Sequence, residues 1–114
     1  SDVMRKLAAE GPCIFVGRCA DYVMKGERNC LNLFISADPE DRMKRISVSH
    51  KISESKAKDL IERTDKGRSS YYNYFSGKTW GAAESYHLCI NSSLLGIDET
   101  VKLICSVAAS RFSI

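Results

Sequence analysis

Three short apolar runs constrain the fold of this chain most. Residues 13–16 are unbroken (Cys-Ile-Phe-Val). Residues 31–37 are interrupted only by Asn32 and Ser36, and residues 87–91 centre on Leu88-Cys89-Ile90. A strand covered on one face alternates apolar and polar residues. Near-continuous apolarity over four to seven residues suggests a strand covered on both faces, as in a parallel sheet. The intervening segments read as helices. Residues 3–10 place Val3, Met4, Leu7 and Ala8 at helical spacing before Gly11-Pro12. Asp38-Pro39-Glu40-Asp41 is a helix start, with Asp as N-cap, Pro at the first helical position and carboxylates at the positive end of the dipole. That helix continues through Arg42, Met43 and Ile46. A second helix is predicted over about 53–72 with Ser53 as cap. Its few apolar residues, Ala57, Leu60 and Ile61, make it mostly solvated. Residues 76–86 read as a loop. Asn91-Ser92-Ser93 reads as a turn, and Gly96 precedes a last helix with Val101, Ile104, Cys105, Ala108 and Phe112 on one packing stripe. The predicted fold is α/β, a parallel sheet flanked by helices.

The chain has 114 residues, which make one domain or part of one. Three strands are few for such a sheet, and no segment matches G-x-x-x-x-G-K-[ST] or G-x-G-x-x-G. The opening Ser1-Asp2-Val3, without Met or a signal-peptide pattern, reads as the start of a segment of something longer. If a first strand is missing, the sheet should show an unpaired edge or fill it with a second copy of the chain. No run is long enough to span a membrane. The net charge of +3, from 17 basic and 14 acidic residues, is too mild to mark a nucleic-acid binder by bulk electrostatics. The five cysteines lack CxxC spacing, and four sit in or beside apolar runs. They are expected to be reduced, buried thiols, which implies a cytoplasmic location. His50 and His87 have no ligand partners at metal spacing, so no metal site is expected.

Three groups could carry chemistry. Gly17-Arg18 follows the first apolar run, where ligands gather in α/β sheets. Gly permits close backbone approach and Arg offers a fork of donors to phosphate. A strand-end Arg in solvent fits the pair equally. Arg63, Asp65, Lys66 and Arg68 surround Gly67. Such cations can close over a polyphosphate, with Asp65 orienting an arginine between helical turns, or they can line a solvated face. Tyr71, Tyr72, Tyr74, Phe75 and Trp80 could stack nucleobases or anchor a segment onto the core. Arg42 and Arg45 fit a surface helix, with a weaker link to phosphate.

In order and spacing, these pieces resemble the cytidylate kinase-like family. The segment from Gly11 through Gly17-Arg18-Cys19-Ala20-Asp21-Tyr22 is similar to its strand and "GR" element. Leu33-Phe34-Ile35-Ser36-Ala37 with Glu40-Asp41-Arg42-Met43-Lys44-Arg45 resembles its next strand and "EERxxR" helix. Residues 61–68, followed by Tyr71-Tyr72-Asn73-Tyr74-Phe75 and Trp80-Gly81, resemble its LID, about 53–80 here. Residues 86–96 resemble its last core strand.

The resemblance implies a P-loop kinase fold and transfer of the γ-phosphoryl of ATP, with Mg2+, to a nucleoside monophosphate such as CMP or dCMP. Arg18, with Gly17, would contact the acceptor phosphate, and Asp21 would stand in for the Asp that Cys19 replaces. Asp65 and Arg68 match the LID "DxxR", whose arginine bridges donor and acceptor phosphates. Arg63 is the nearest candidate for the upstream LID arginine, which Ile61 replaces, and Lys66 would serve the ATP side. Residues 1–114 are then the C-terminal part of one domain, without the P-loop and inactive alone. ATP and a nucleoside monophosphate are the expected partners, with no membrane, nucleic acid disfavoured and a homo-oligomer allowed. The alternative is a catalytically inactive nucleotide-binding or regulatory module of the same fold. A single-stranded nucleic-acid binder using residues 63–80 is a third reading.

Overall fold

A computed structural model describes residues 2–16, 20–24, 26 and 29–113. Its centre is a pair of parallel strands, β1 (Leu33–Ser36) and β2 (Leu88–Asn91), in the register Leu33–Leu88, Phe34–Cys89, Ile35–Ile90 and Ser36–Asn91. Parallel neighbours need a long crossover. Here it is built by α3 (Pro39–His50), α4 (Glu54–Ser76) and a 3-10 turn (Ala83–Ser85). Helix α1 (Asp2–Glu10) and the short α2 (Ala20–Val23) precede the sheet. Helices α5 (Ser92–Leu95) and α6 (Ile97–Phe112) follow it.

Polar contacts pin the register at both ends. Before the strands, the Asn32 amide donates to His87 Nδ1 at 2.8 Å, and the Asn32 carbonyl accepts from the amides of His87 (2.8 Å) and Leu88 (3.2 Å). At the carboxyl ends, Ser92 Oγ donates to the Ser36 carbonyl at 2.9 Å. The Asp38 amide donates to Ser93 Oγ at 2.8 Å, and Asn91 Nδ2 donates to Asp38 Oδ1 at 2.9 Å. Asp38 is the N-cap of α3, as predicted, but its carboxylate makes no capping bond. It is engaged by Asn91 instead, so the start of α3 is tied to the end of β2. The predicted turn at Asn91-Ser92-Ser93 is a four-residue helix, α5, with Asn91 Oδ1 capping the Ser93 amide at 2.9 Å.

The expected first strand is absent from the described residues. Residues 12–16 form no strand, and Ile14 and Val16 are 90% and 88% exposed. A strand needs a neighbour for its backbone donors and acceptors, and β1 and β2 pair only with each other among the described residues. An apolar run therefore does not become a strand here. The thiols also depart from expectation. Cys13, Cys89 and Cys105 are exposed and Cys30 is partly covered, with none of the four in a disulfide. On α6, Val101 and Cys105 of the expected packing stripe are exposed, while Ile104, Ala108 and Phe112 are partly covered.

Helices α3 and α4 form a hairpin. Lys51 takes a left-handed conformation, and the Ile52 amide returns to the Ser47 carbonyl at 3.1 Å. Ser53 then caps α4, accepting from the Lys56 amide at 3.2 Å, and Ala57 is fully buried. Helix α4 runs four residues past the predicted end at Tyr72, to Ser76, and stops at left-handed Gly77. Asn73 Oδ1 then accepts from the Trp80 amide at 2.8 Å and turns the chain back toward the sheet.

There Phe34 is gripped by Trp80 (ring centroids 5.3 Å apart, edge-on) and Tyr86 (5.1 Å). Gly81, at φ +80°, lies under the same ring, and a Cβ there would sit 3.2 Å from Phe34 Cζ. Gly81→Ala is therefore expected to destabilise the chain by about 1 kcal/mol or more, since both the positive φ and the close ring oppose a side chain. Urea denaturation followed by circular dichroism checks this. Ser53→Ala, which removes the cap of α4, should cost about 1 kcal/mol in the same assay.

Candidate functional site

The α3–α4 hairpin encloses a groove of about 260 Å³. Its floor is apolar, from Ile46, Leu60 and Ile61, and its polar rim holds Arg42, Arg45, His50, Thr64, Asp65 and Arg68. Residues 60, 61, 64, 65 and 68 recur on one face of α4 because side chains three and four apart stack along a helix.

A two-pronged ion pair crosses the groove. Arg42 Nη1 donates to Asp65 Oδ2 at 2.7 Å and Arg42 Nη2 to Asp65 Oδ1 at 2.8 Å. The planar guanidinium and carboxylate match, which fixes orientation as well as distance. The bond from Arg42 lowers the Asp65 carboxyl below its usual range. Burial opposes this, and the charges of Arg42 and Arg68 add to it. The same bond raises Arg42. Arg42 is bonded to Asp65, Arg68 acts on it through its charge, and Arg45 lines the same groove, which therefore keeps an excess of positive charge presented as rigid N–H forks. Such a donor set suits phosphate oxygens. It offers nothing to a bare divalent cation, and no cluster of three or more metal-ligating side chains occurs among the described residues.

The predicted site residues divide. Asp65 and Arg68 lie in the groove. Arg63 and Lys66 are exposed on other faces of α4, because each residue turns the helix by about 100°. The arginine that Asp65 holds is Arg42, from the neighbouring helix, rather than one a turn away on α4. Asp21, on α2, accepts a 2.6 Å hydrogen bond from the buried Tyr72 hydroxyl and so ties α2 to α4. Burial, followed by this bond, pushes the Tyr72 hydroxyl far above its ordinary value. Burial also raises Tyr86, which packs nearby. Gly17 and Arg18 lie outside the described residues. Arg42 and Arg45 were only weakly linked to phosphate by the sequence. The signal was there: they stand three apart on a helix joined by a tight turn to the one carrying Asp65.

The aromatic group also divides. Tyr72 and Trp80 anchor the segment to the core, whereas Tyr71, Tyr74 and Phe75 form an exposed cluster with centroids 4.6 Å (Tyr71–Phe75) and 4.9 Å (Tyr74–Phe75) apart. No helix among the described residues is long and apolar enough to cross a membrane.

With this geometry in view, the comparisons are direct. The cytidylate kinase-like family matches residues 1–94, and the chain belongs to that family. None of the curated proteins matches it. Among solved structures, it is similar to an uncharacterized protein from Eubacterium ventriosum, at 26% identity with a TM-score of 0.91. The match covers 96% of this chain and 62% of the other, so the chain spans less than two thirds of that protein's length.

The ion pair has a pH signature. The Asp65 carboxyl is lowered on folding, so its contribution is full above the ordinary carboxylate pKa and fades as pH falls through the lowered value. Both partners are about one-third exposed, which keeps the contribution to about 1 kcal/mol or less. The stability advantage over Asp65→Asn should therefore be present at pH 7 and be smaller at about pH 3. Urea titrations at the two pH values measure it.

Proposed function

We propose that the protein containing this chain is a P-loop-type nucleoside monophosphate kinase. It would transfer the γ-phosphoryl of ATP to an acceptor of the CMP or dCMP kind. The observation that carries this is the cationic groove between α3 and α4, with Arg42 clamped by Asp65 and Arg68 one turn further along. Family membership supplies the reaction class. In this reading, residues 1–114 are the C-terminal part of one kinase domain and α4 is the core of its LID. The 62% coverage of the structural neighbour leaves room for a phosphate-cradling loop elsewhere in the full protein.

The chemistry follows from the donor set. An acceptor phosphate oxygen attacks Pγ, the bond from Pγ to the bridging oxygen breaks, and ADP leaves with that electron pair. The product is a nucleoside diphosphate. Little covalent work falls to the protein, so the residues act by position and charge. Arg42 and Arg68 neutralise charge on the phosphate oxygens, and the Asp65 carboxylate keeps Arg42 from reorienting between turnovers. Arg18, with Gly17, is assigned to the acceptor phosphate. Arg63 and Lys66, on the outer faces of α4, are assigned to the phosphates that the LID meets when it closes. Asp21 acts in this scheme through its bond to Tyr72, holding the segment after Gly17-Arg18 against the LID helix. Closure of the LID over the bound phosphates excludes water, the competing acceptor. Mg2+ would arrive with the donor phosphates and supply further charge neutralisation.

In the full-length protein, Arg68→Ala and Arg42→Ala should each lower kcat for CMP phosphorylation at least a hundredfold, with the far-ultraviolet circular dichroism spectrum unchanged. A coupled ADP-release assay reads the rate. Unchanged turnover would point instead to a nucleotide-binding module without catalysis. The 114-residue chain alone should show no ATP-dependent phosphorylation of CMP.

A further inference from the structure

The groove face of α4 does not end at Arg68. At about 100° per residue, Ile61, Asp65, Arg68 and Phe75 fall within roughly 80° of one another, and Tyr71 lies a further ~40° round. Along the axis, Tyr71 and Phe75 stand about 4.5 and 10.5 Å beyond Arg68. Tyr72, between them, is turned into the core by its bond to Asp21. Tyr71 and Phe75 are not: they are 44% and 57% exposed, and Tyr74, 81% exposed, packs edge-on against Phe75. The Tyr71 and Phe75 rings lie 4.6 Å apart, tilted by 43°. No carboxylate occurs from Lys66 to Trp80, a stretch that also carries Arg68 and Lys78. One continuous stripe thus runs from a cationic groove to an exposed aromatic pair, and α4 itself carries no carboxylate beyond Asp65.

From this juxtaposition we infer that Tyr71 and Phe75 form a base-stacking subsite for a nucleoside phosphate whose phosphates lie in the Arg42–Arg45–Arg68 groove. An aromatic pair with a free ring face offers stacking, which tolerates purine or pyrimidine alike. The adjoining cations select an anionic ligand over a neutral apolar one. The separation along α4 is that of a ribose between phosphate and base. This inference rests on the phosphate reading of the groove and adds what holds the other end of the ligand.

The test compares two probes on the full-length protein by isothermal titration calorimetry: ATP, and tripolyphosphate, which lacks base and sugar. ATP should bind about tenfold or more tightly than tripolyphosphate. The exposed double substitution Tyr71→Ala/Phe75→Ala should abolish that preference while leaving tripolyphosphate affinity unchanged. Tyr71→Phe/Phe75→Tyr, which keeps both rings, should retain it. Circular dichroism confirms that each variant is folded. An ATP preference that survives the alanine pair overturns the subsite but leaves the groove reading standing. Binding of neither probe, or tripolyphosphate binding indifferent to Arg42→Ala and Arg68→Ala, overturns the groove reading and the subsite with it. A single-stranded oligonucleotide that binds more tightly than ATP, and is lost in the alanine pair, assigns the patch to nucleic acid and overturns the proposal.

Discussion

The parallel register of β1 and β2 is the constraint on which the rest depends. Two strands of four residues bury little by themselves, and the pairing is held by groups just outside it. Asn32 and His87 brace one end, while Ser36, Asp38, Asn91, Ser92 and Ser93 interlock at the other. That second clasp does two things. It closes the carboxyl end of the sheet, and it seats the first turn of α3 against the end of β2. From there the direction of α3, the tight turn at Lys51 and the path of α4 follow. A one-residue slip would put Phe34 on the wrong face and separate it from Trp80, Gly81 and Tyr86.

The groove inherits its geometry from that seating. Arg42 begins the second turn of α3 and Asp65 lies midway along α4, 23 residues away in sequence. They meet in a two-pronged pair because a short turn joins α3 to α4 and the two helices pack against each other. The ion pair adds little to stability at its partly exposed position. Its consequence is directional: a guanidinium that would otherwise sample many rotamers is held at the rim beside Arg45 and Arg68. Local charge therefore says more than the net charge of +3. Several of the cations gather on one face, and the carboxylate that lines the groove with them, Asp65, is already committed to Arg42.

Some of this was legible in the residues. Asp38-Pro39 announced α3, Ser53 announced α4, and the run around Leu88-Cys89-Ile90 announced β2, because caps and short apolar runs act through nearest neighbours. Asp65 and Arg68 belong to a charged cluster around Gly67 that the residues alone fit either as a phosphate clamp or as a solvated face, and both line the groove. Other features were not legible. Residues 13–16 carry a strand pattern without a strand, since pattern cannot supply the neighbouring chain that a strand needs. The cysteines read as buried because they lie in apolar runs, yet burial depends on what covers the run. Arg42 passed as a surface residue, because its partner lies on another helix.

What the sequence by itself determined is local: where α3 and α4 begin, which segments suit a parallel sheet, and the order of motifs that marks the cytidylate kinase-like family. Those features rest on backbone preferences and spacing, which a linear chain already contains. The tertiary structure decided what is shared between distant segments. It chose Arg42 as the partner of Asp65, turned Arg63 and Lys66 to other faces, engaged Asp21 with Tyr72, and divided the aromatic residues between a buried anchor and an exposed cluster. Each of those outcomes depends on distances that close only when the hairpin packs and the strands pair.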